Sequence, residues 1–498
     1  MAPYFGLRGS SLTIAISIIA ATGFGLQGYD QTVANGLLTL PTFLHTFPET
    51  KDSTIQGTTV AIYEVGCAIG ALTCAFVGDI FGRTRTIFSA GCIVLIGIIL
   101  ESTSFDLPQL IVSRVICGLG VGAFTATIPM YVSESVNARK RGRLVLTQGF
   151  FAVGGIVLAS WIEFGLYFLP NNPVNWRFPF AFQAVFALIA TIFILFMPES
   201  PRWLVKRDRL DDARTIVGCL EDQPEDSDTV AHEMNIMLET FAEEQRSSAN
   251  VFSMGPERLF HRAVLAVLVN TLAQMSGVNI VTFYSTTILE EHLGYSGTIS
   301  RVVTGCIQIW QFLSAGLAIL IIDRFGRRKL LMMGAAGLCI AQTGLAGCTS
   351  HLSSTSVSGA AIFFYFVAMF CFPIGLFLLP FMYAAEIAPL PIRAKVAAAA
   401  SCANWLFNFL VAEVTPTATA NIGYRYYIVY AVINFTSFFV FYFFYPETKG
   451  RTLEEIDNIF IQSKNIFDPV RIEKNMPKGE LQVADTEKAV AIEVEERA

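Results

Sequence analysis

Long apolar stretches recur along the chain, each about as long as a membrane-spanning helix. A bilayer core about 30 Å thick is crossed by a helix of roughly 20 apolar residues. The stretches predict six spans before a hydrophilic segment at 198–260 and six after it. The predicted spans are 12–34, 57–77, 86–104, 108–131, 144–166, 177–197, 263–289, 300–322, 330–348, 359–385, 396–418 and 424–445. This pattern predicts an all-α membrane protein.

The composition excludes a soluble fold. Apolar residues make up 53% of the chain and charged residues 15%, whereas soluble domains have about 25% charged residues. A soluble protein of this length has no interior large enough to hide so much apolar surface. The first apolar stretch is followed by many others, so we interpret it as a span and not as a cleaved signal peptide.

Charge and motifs exclude several function classes. The net charge is −6, and no long basic run is present, so nucleic-acid binding has no support. The ten cysteines form no CxxC pair and the five histidines are scattered, which predicts no metal site. The chain has no P-loop, nucleophile elbow or HExxH motif. We therefore expect no enzyme, no catalytic residue and no cofactor.

Basic residues cluster in the loops that follow the even-numbered spans. They are Arg83, Arg85, Arg139, Lys140, Arg141, Arg143, Arg202, Lys206, Arg207, Arg324, Arg327, Arg328, Lys329, Arg393 and Lys395. Cytoplasmic loops carry an excess of Lys and Arg, so both termini and the central segment are expected in the cytoplasm. The central segment predicts two solvated helices, Asp211–Leu220 and Asp228–Glu244. The polar tail after about residue 461 is expected to be disordered.

Three motifs occur twice at nearly the same separation along the chain. They are Asp79-Ile80-Phe81-Gly82-Arg83 with Asp323-Arg324-Phe325-Gly326-Arg327, Glu134 and Arg141 with Glu386 and Arg393, and Pro198-Glu199-Ser200 with Pro446-Glu447-Thr448. Such repeats indicate a duplicated six-helix unit, as in many secondary transporters. The predicted domains are a bundle at 1–197, a cytoplasmic loop at 198–260, a second bundle at 261–446 and a largely disordered tail at 447–498.

Eight motifs in order resemble the sugar porter family of the major facilitator superfamily. They are Gly28-Tyr29-Asp30, Asp79 to Arg83, Pro129-Met130-Tyr131 with Glu134 and Arg141, Pro198 to Leu204, Gln274 to Asn279, Asp323 to Arg328, Asn404-Trp405 with Asn408, and Pro446 to Gly450. The run around Asn404 resembles fungal members. The resemblance implies twelve helices in two pseudo-symmetric bundles. It also implies a monomeric transporter in the lipid bilayer of the plasma membrane, with a monosaccharide or related polyol as substrate.

Asp30 lies toward the end of the first predicted span. An unpaired carboxylate in a bilayer costs several kcal/mol, and intramembrane acids are functional by default. Arg114, in the fourth predicted span, is the natural partner. In the family, proton-coupled members resemble this chain in having Asp after Gly-Tyr. We interpret Asp30 and Arg114 as the proton-coupling pair; a structural ion pair between two helices is the alternative.

Eight charged residues at the cytoplasmic helix ends form a predicted gate. They are Asp79, Arg83, Glu134 and Arg141 in the first half and Asp323, Arg327, Glu386 and Arg393 in the second. Several partly buried ion pairs together can shift a two-state equilibrium by a few kcal/mol. We expect them to bridge the halves when the cytoplasmic side is shut. Thr84 departs from the family pattern, in which a second Arg is usual.

Five amides match the substrate-binding positions of the family, and sugar hydroxyls need such donors and acceptors. They are Gln148, Gln274, Asn279, Gln311 and Asn404. Three positions depart from the family: Ala273 replaces the first of a paired Gln, and Pro373 and Phe381 change the tenth span. The pocket is therefore expected to be more apolar than that of a glucose carrier.

The leading hypothesis is proton symport of a sugar or polyol by alternating access. A carrier of a cyclic acid or secondary metabolite, or a proton-independent facilitator, stays open as an alternative. A sugar sensor would share the fold, but the short tail offers it little for signalling.

Overall fold

The computed structural model describes residues 3–136, 138–246, 251–351 and 355–476 of the chain. Within these ranges the side chains at 3, 5, 75, 76, 138–146, 243–246, 355 and 390 lie outside the description. The described residues contain twelve helical spans that are long and apolar enough to cross a membrane, which confirms the predicted number of spans.

Spans 1 to 6 form the first half of the molecule. Their helices are Gly9–Thr32, Ser53–Phe81, Arg83–Ser102, Leu107–Ser135, Ala138–Tyr167 and Val174–Ile194. Spans 7 to 12 form the second half. Their helices are Leu259–Gln274 with Val278–Thr287, Gly297–Phe325, Arg327–Ser350, Thr355–Phe372 with Leu379–Ile387, Leu390–Ile422 and Arg425–Phe444. The predicted spans fall on these helices, most of which extend a few residues further at one or both ends.

Span 7 consists of two helices because Gly277 interrupts it. Gly277 has φ +79°, a left-handed conformation that L side chains rarely adopt. A Cβ at this position would also lie 2.5 Å from Cγ of Tyr430. Both observations require glycine here, and the break leaves the end of one helix facing the start of the next at mid-span.

Span 10 is also irregular at its centre. Its two helices are joined by a widened π-helical turn at Pro373–Phe377. Proline has no backbone N–H and cannot make the regular helical hydrogen bond. A second π-helical turn, Ile288–His292, follows span 7.

The hydrophilic segments are also helical. The central segment contains Pro201–Lys206, Leu210–Glu221 and Asp228–Arg246, so the two predicted solvated helices are present. The tail begins with two helices, Leu453–Gln462 and Asp468–Asn475, and its largely disordered character stays a prediction. The first of these has a capping box, in which the Thr452 hydroxyl and the Glu455 carboxylate each accept a backbone N–H. The last residues of the tail, 477–498, lie outside the described part. Short helices Pro3–Gly6, Pro41–Thr46 and Pro48–Lys51 complete the structure.

Glycines let spans 2 and 4 approach each other closely. A Cβ on Gly66 would lie 2.5 Å from the Val115 carbonyl oxygen, and one on Gly118 would lie 2.2 Å from that of Tyr63. Small residues of this kind allow the backbones of membrane helices to touch. The contact brings Tyr63, on span 2, beside Arg114, on span 4.

The two ends of the helix bundle differ in chemistry. The basic end is the one where Arg83 and Arg327 begin spans 3 and 9. The opposite end is the one where span 1 finishes and span 8 begins. Near the opposite end, one apolar cluster contains residues of both halves, including Val33 and Leu37 from the first and Phe283 and Ile288 from the second.

Candidate functional site

Arg114 and two carboxyl groups form a buried cluster toward the opposite end. Nη1 of Arg114 lies 3.1 Å from Oε1 of Glu101 and 3.5 Å from Oδ1 of Asp30. Asp30 and Glu101 have no exposed surface, and Arg114 is 1% exposed. Nη2 of Arg114 donates to the Val60 carbonyl at 3.2 Å. The structure thus brings together the predicted pair Asp30 and Arg114.

Glu101, on span 3, is the closer partner of Arg114, and the sequence interpretation missed it. Its other carboxylate oxygen, Oε2, accepts a hydrogen bond from Nε2 of Gln183 at 3.4 Å. Both oxygens of Asp30, by contrast, have no hydrogen-bond partner in the described structure. The signal that could have found Glu101 is a carboxyl group inside an apolar span, which is rare unless it has a partner or a function.

Four amides form a continuous hydrogen-bonded chain at the break in span 7. Nε2 of Gln274 donates to Oδ1 of Asn404 at 2.7 Å. Nδ2 of Asn279 donates to Oε1 of Gln274 and to Oδ1 of Asn408, both at 2.6 Å. Gly277 places Gln274 at the end of one helix and Asn279 at the start of the next. We call these four residues the amide chain; Asn408 is the member that sequence reasoning did not include.

Gln148 and Gln311 are buried on neighbouring spans and are not part of the amide chain. Spans 5 and 8 pack through Phe150 and Phe312, whose ring centroids are 4.1 Å apart. Both side-chain polar atoms of Gln148, and Oε1 of Gln311, lack a partner among the described residues. Both side-chain polar atoms of Gln308, one turn before Gln311, also lack a partner among the described residues. Buried polar groups are normally hydrogen-bonded, so these amides are available to a ligand or water.

At the basic end, each half contains one arginine bound by two acids. Arg83 binds Glu134 through Nε and Nη2 at 2.9 and 3.0 Å, and Asp79 through Nη1 at 2.8 Å. Asp79 also pairs with Lys206. The contacts of Arg83 join helices of the first half, and the pair with Lys206 adds the helix Pro201–Lys206 of the central segment.

The second half repeats this arrangement. Arg327 lies 3.1 Å from Glu386 and 3.2 Å from Asp323. The ion pairs of Arg83 and of Arg327 therefore stay within one half each. The expectation that these charges bridge the halves concerns another conformation and stays a prediction.

The remaining two predicted gate residues in these regions are Arg141 and Arg393. The side chain of Arg141 lies outside the described residues. Nε of Arg393 donates to the Ala388 carbonyl at 3.0 Å.

Glu199 and Glu447 complete the networks of the basic end, and sequence reasoning gave them no role. Glu199 accepts the backbone N–H of Arg83 at 2.8 Å and the Thr84 hydroxyl at 2.7 Å. Glu447 accepts the backbone N–H of Arg327 at 2.8 Å. A carboxylate is favourable at a helix N-terminus because unpaired N–H groups and the helix dipole meet there. This explains why the Pro-Glu motif is repeated, and it gives Thr84 a partner.

At the opposite end, hydrogen bonds cross between the halves. Nδ2 of Asn35 donates to the Thr282 carbonyl at 3.0 Å and to the Ser285 hydroxyl at 2.9 Å, and its Oδ1 accepts the N–H of Thr286 at 3.1 Å. Asn35 follows span 1, and its three partners belong to the second helix of span 7. The opposite end is therefore closed by direct contacts.

Arg301, at the start of span 8, strengthens this closure. Its Nη2 donates to the Gly36 carbonyl at 2.9 Å and to the Thr39 hydroxyl at 2.8 Å, while its Nη1 pairs with Glu290. The guanidinium also lies 4.1 Å from the centroid of the Tyr167 ring. Arg301 is only 3% exposed.

Comparison with known proteins agrees with this architecture. Residues 16–460 match the family model described as "Sugar (and other) transporter". The chain belongs to this family. Members with which it aligns include the sugar transporter STL1 of Saccharomyces cerevisiae, 35% identical over 96% of this chain and 87% of the relative. The low-affinity glucose transporter HXT1 of the same yeast is 30% identical over 91% and 83%.

Solved structures show the same fold. A structure titled as the proton:xylose symporter XylE bound to 6-bromo-6-deoxy-D-glucose has a TM-score of 0.77 and 24% identity, covering 91% of this chain and all of that one. An inward-open structure of the xylose transporter XylE from E. coli has a TM-score of 0.71 and 25% identity, covering 90% and 99%. The chain is thus a multi-pass membrane transporter of the major facilitator fold, and its relatives are transporters and not enzymes.

Proposed function

We propose that this chain moves a monosaccharide or related polyol across the membrane together with a proton. The halves 1–197 and 261–446 rock about a central site, so that the site opens to each side in turn. The loop 198–260 and the tail 447–498 lie on the cytoplasmic side with the basic end. The protein acts as a monomer in the plasma membrane.

The observation that carries the proposal is the amide chain at the break in span 7. Gln274, Asn279, Asn404 and Asn408 hydrogen-bond only to one another in the contacts described above. A sugar hydroxyl both donates and accepts, so it can replace either partner of an amide–amide bond without leaving a polar atom unpaired. Gln148 and Gln311 supply further amide groups from spans 5 and 8. The names of the yeast relatives, a sugar transporter and a glucose transporter, support the same substrate class.

Asp30 is the proposed proton carrier. It lies 3.5 Å from Arg114 and accepts no hydrogen bond from the described residues, so only a loose ion pair favours its charged form. When the opposite end opens, water reaches the carboxyl and a proton can bind or leave. The networks around Arg83 and Arg327, with Arg141 and Arg393 nearby, are proposed to close the basic end in the alternate state.

A second candidate substrate is a less hydroxylated molecule, such as a cyclic acid or secondary metabolite. Ala273 favours such a substrate, because this residue is 2% exposed and supplies no amide next to Gln274. A relative that spans the whole chain at 33% identity, the MFS-type transporter oryC of Aspergillus oryzae, is named without a sugar.

Uptake of labelled compounds into transporter-deficient yeast at two external pH values tests both candidates. The panel contains glucose, xylose, galactose, sorbitol and quinate. We expect sugar or polyol uptake that rises at acid pH and falls to background in Asp30→Asn. Asp106→Asn is the matched control, because Asp106 is an exposed N-cap near the same end and Asn caps a helix equally well.

The other outcomes are decisive as well. Sugar uptake that ignores both pH and the Asp30→Asn change would make the protein a facilitator. Uptake of quinate alone by protein that reaches the cell surface would favour the second candidate. Absence of all uptake by such protein would reject both substrate classes.

A further inference from the structure

Glu64, on span 2, is a buried carboxyl group that the proposed mechanism does not use. It is 1% exposed, and neither of its oxygens has a hydrogen-bond partner among the described residues. Buried acids without a partner are rare in membrane helices and mark proton or ion pathways. Glu64 therefore needs an explanation of its own.

The charges around Glu64 do not balance if every group is ionised. The guanidinium of Arg114 faces three carboxyl groups, those of Asp30, Glu64 and Glu101. Glu101 makes the shortest contact with Arg114, at 3.1 Å, and accepts a second hydrogen bond from Gln183. Glu101 is thus the closer partner of the arginine and Asp30 the looser one, at 3.5 Å, whereas Glu64 makes no ion pair among the described residues. A buried carboxyl in that position holds a proton.

The other groups near Glu64 include no basic side chain among the described residues. Tyr63 and Cys67 lie beside it on span 2. Asn408 faces it from span 11, which belongs to the other half. Glu413, also on span 11, is held by the Thr58 hydroxyl at 2.7 Å, closer to the opposite end. None of these supplies a positive charge.

Asn408 connects Glu64 to the substrate amides. Its Oδ1 accepts from Asn279 at 2.6 Å, whereas its Nδ2 has no partner among the described residues. The Asn408 amide therefore faces the Glu64 carboxyl across the boundary between the halves. A carboxylate at Glu64 would accept that N–H, and a protonated carboxyl would need it less.

We propose that Glu64 is a second proton-binding site, which links the Asp30 group to the amide chain through Asn408. This inference rests on the proposed proton symport. In the closed state Glu64 carries a proton. On the cytoplasmic side the O–H bond breaks, the proton passes to water, and the carboxylate accepts the N–H of Asn408. The amide chain then rearranges, and substrate release is tied to proton release.

Two measurements on the full-length protein in lipid test this proposal. The first is infrared spectroscopy, in which a protonated carboxylic acid gives a C=O band distinct from that of a carboxylate. We expect Glu64→Gln to lose one such band at neutral pH. Glu413→Gln, at the same contact between spans 2 and 11, is the matched control and retains the band. Glu64→Asp keeps a carboxyl group, so we expect it to restore a C=O band at a shifted frequency.

The second measurement compares uptake driven by a pH gradient with counterflow exchange in proteoliposomes, using whichever labelled sugar of the panel the wild type carries. Glu64→Gln is expected to retain counterflow, whereas its uptake driven by the pH gradient falls at least tenfold. Glu413→Gln keeps the wild-type ratio of driven uptake to counterflow. An unchanged band, or a lost band with unchanged driven uptake, would overturn the proposal. If the wild type carries no sugar, the symport hypothesis fails, and the infrared result alone decides whether Glu64 binds a proton.

Discussion

The two ends of the molecule are held together in different ways. At the opposite end, Asn35 and Arg301 make hydrogen bonds that cross from one half to the other. At the basic end, the ion pairs of Arg83 and Arg327 join helices of the same half. Contacts of the first kind stabilise one conformation against another, because they break when the halves separate. Contacts of the second kind stabilise each half and, in this conformation, do not hold the halves together. Charge alone therefore does not identify a gate; the pair must also span the moving boundary.

Removal of Arg301 is expected to have the largest effect on the closure of the opposite end. Arg301→Ala deletes two cross-half hydrogen bonds and leaves Glu290 unpaired. The two cross-half hydrogen bonds have a charged donor and together contribute about 3 kcal/mol, so the equilibrium is expected to shift roughly 100-fold toward a state open at the opposite end. Hydrogen–deuterium exchange of peptides at the ends of spans 1 and 7 measures this opening. Arg425→Ala, an exposed arginine at the same end, is the control. Unchanged exchange in Arg301→Ala would contradict the assignment.

Substitution of Asn35 is expected to shift the same opening equilibrium by a smaller amount. Asn35→Asp keeps the acceptor for the N–H of Thr286 and removes both donors, which we expect to cost about 2 kcal/mol, or roughly 30-fold in the same equilibrium. The same peptides report it. An effect as large as that of Arg301→Ala would mean that a buried charge, and not the lost donors, controls the result.

At the basic end, Glu199→Gln is expected to act on stability and not on opening. It removes the negative charge from the N-terminus of span 3 and weakens its hydrogen bonds, at a cost of about 1.5 kcal/mol. Thermal unfolding in detergent should show a lower Tm, with unchanged exchange at the opposite end. Glu447→Gln is the matched variant in the second half and should behave alike. Increased exchange at the opposite end would show that the two ends are coupled.

The smallest expected effect is at Thr84. Thr84→Val removes the hydroxyl that donates to Glu199 at 2.7 Å and should lower the free energy of unfolding by about 1 kcal/mol. Thr84→Ser keeps the donor and should restore it. If the Thr84→Val and Thr84→Ser variants have equal free energies of unfolding in urea, the hydroxyl contributes nothing at this position.

The spans could be predicted from the sequence because hydrophobic length alone determines them. The motifs also placed Asp30 with Arg114 and Gln274 with Asn279 and Asn404. Glu101 was missed because its distance from Arg114 depends on how spans 3 and 4 rotate about their axes, which hydrophobicity does not determine. The hydrogen bonds that connect the four residues of the amide chain were missed for a similar reason. It depends on the break at Gly277, which brings residues 274 and 279 to face each other across a gap.

The Arg114–Glu101 pair has a consequence for how membrane voltage acts on the carrier. The pair is electrically neutral and travels with the protein, so it moves no net charge across the bilayer. In the proposed mechanism, a proton that leaves Asp30 or Glu64 on the inner side does move one, and each elementary charge is worth about 2.3 kcal/mol per 100 mV. With two such sites, an inside-negative potential favours the return of the empty carrier with two uncompensated negative charges facing outward. Accumulation of substrate would then continue when the pH gradient is zero, as long as the cell keeps its voltage.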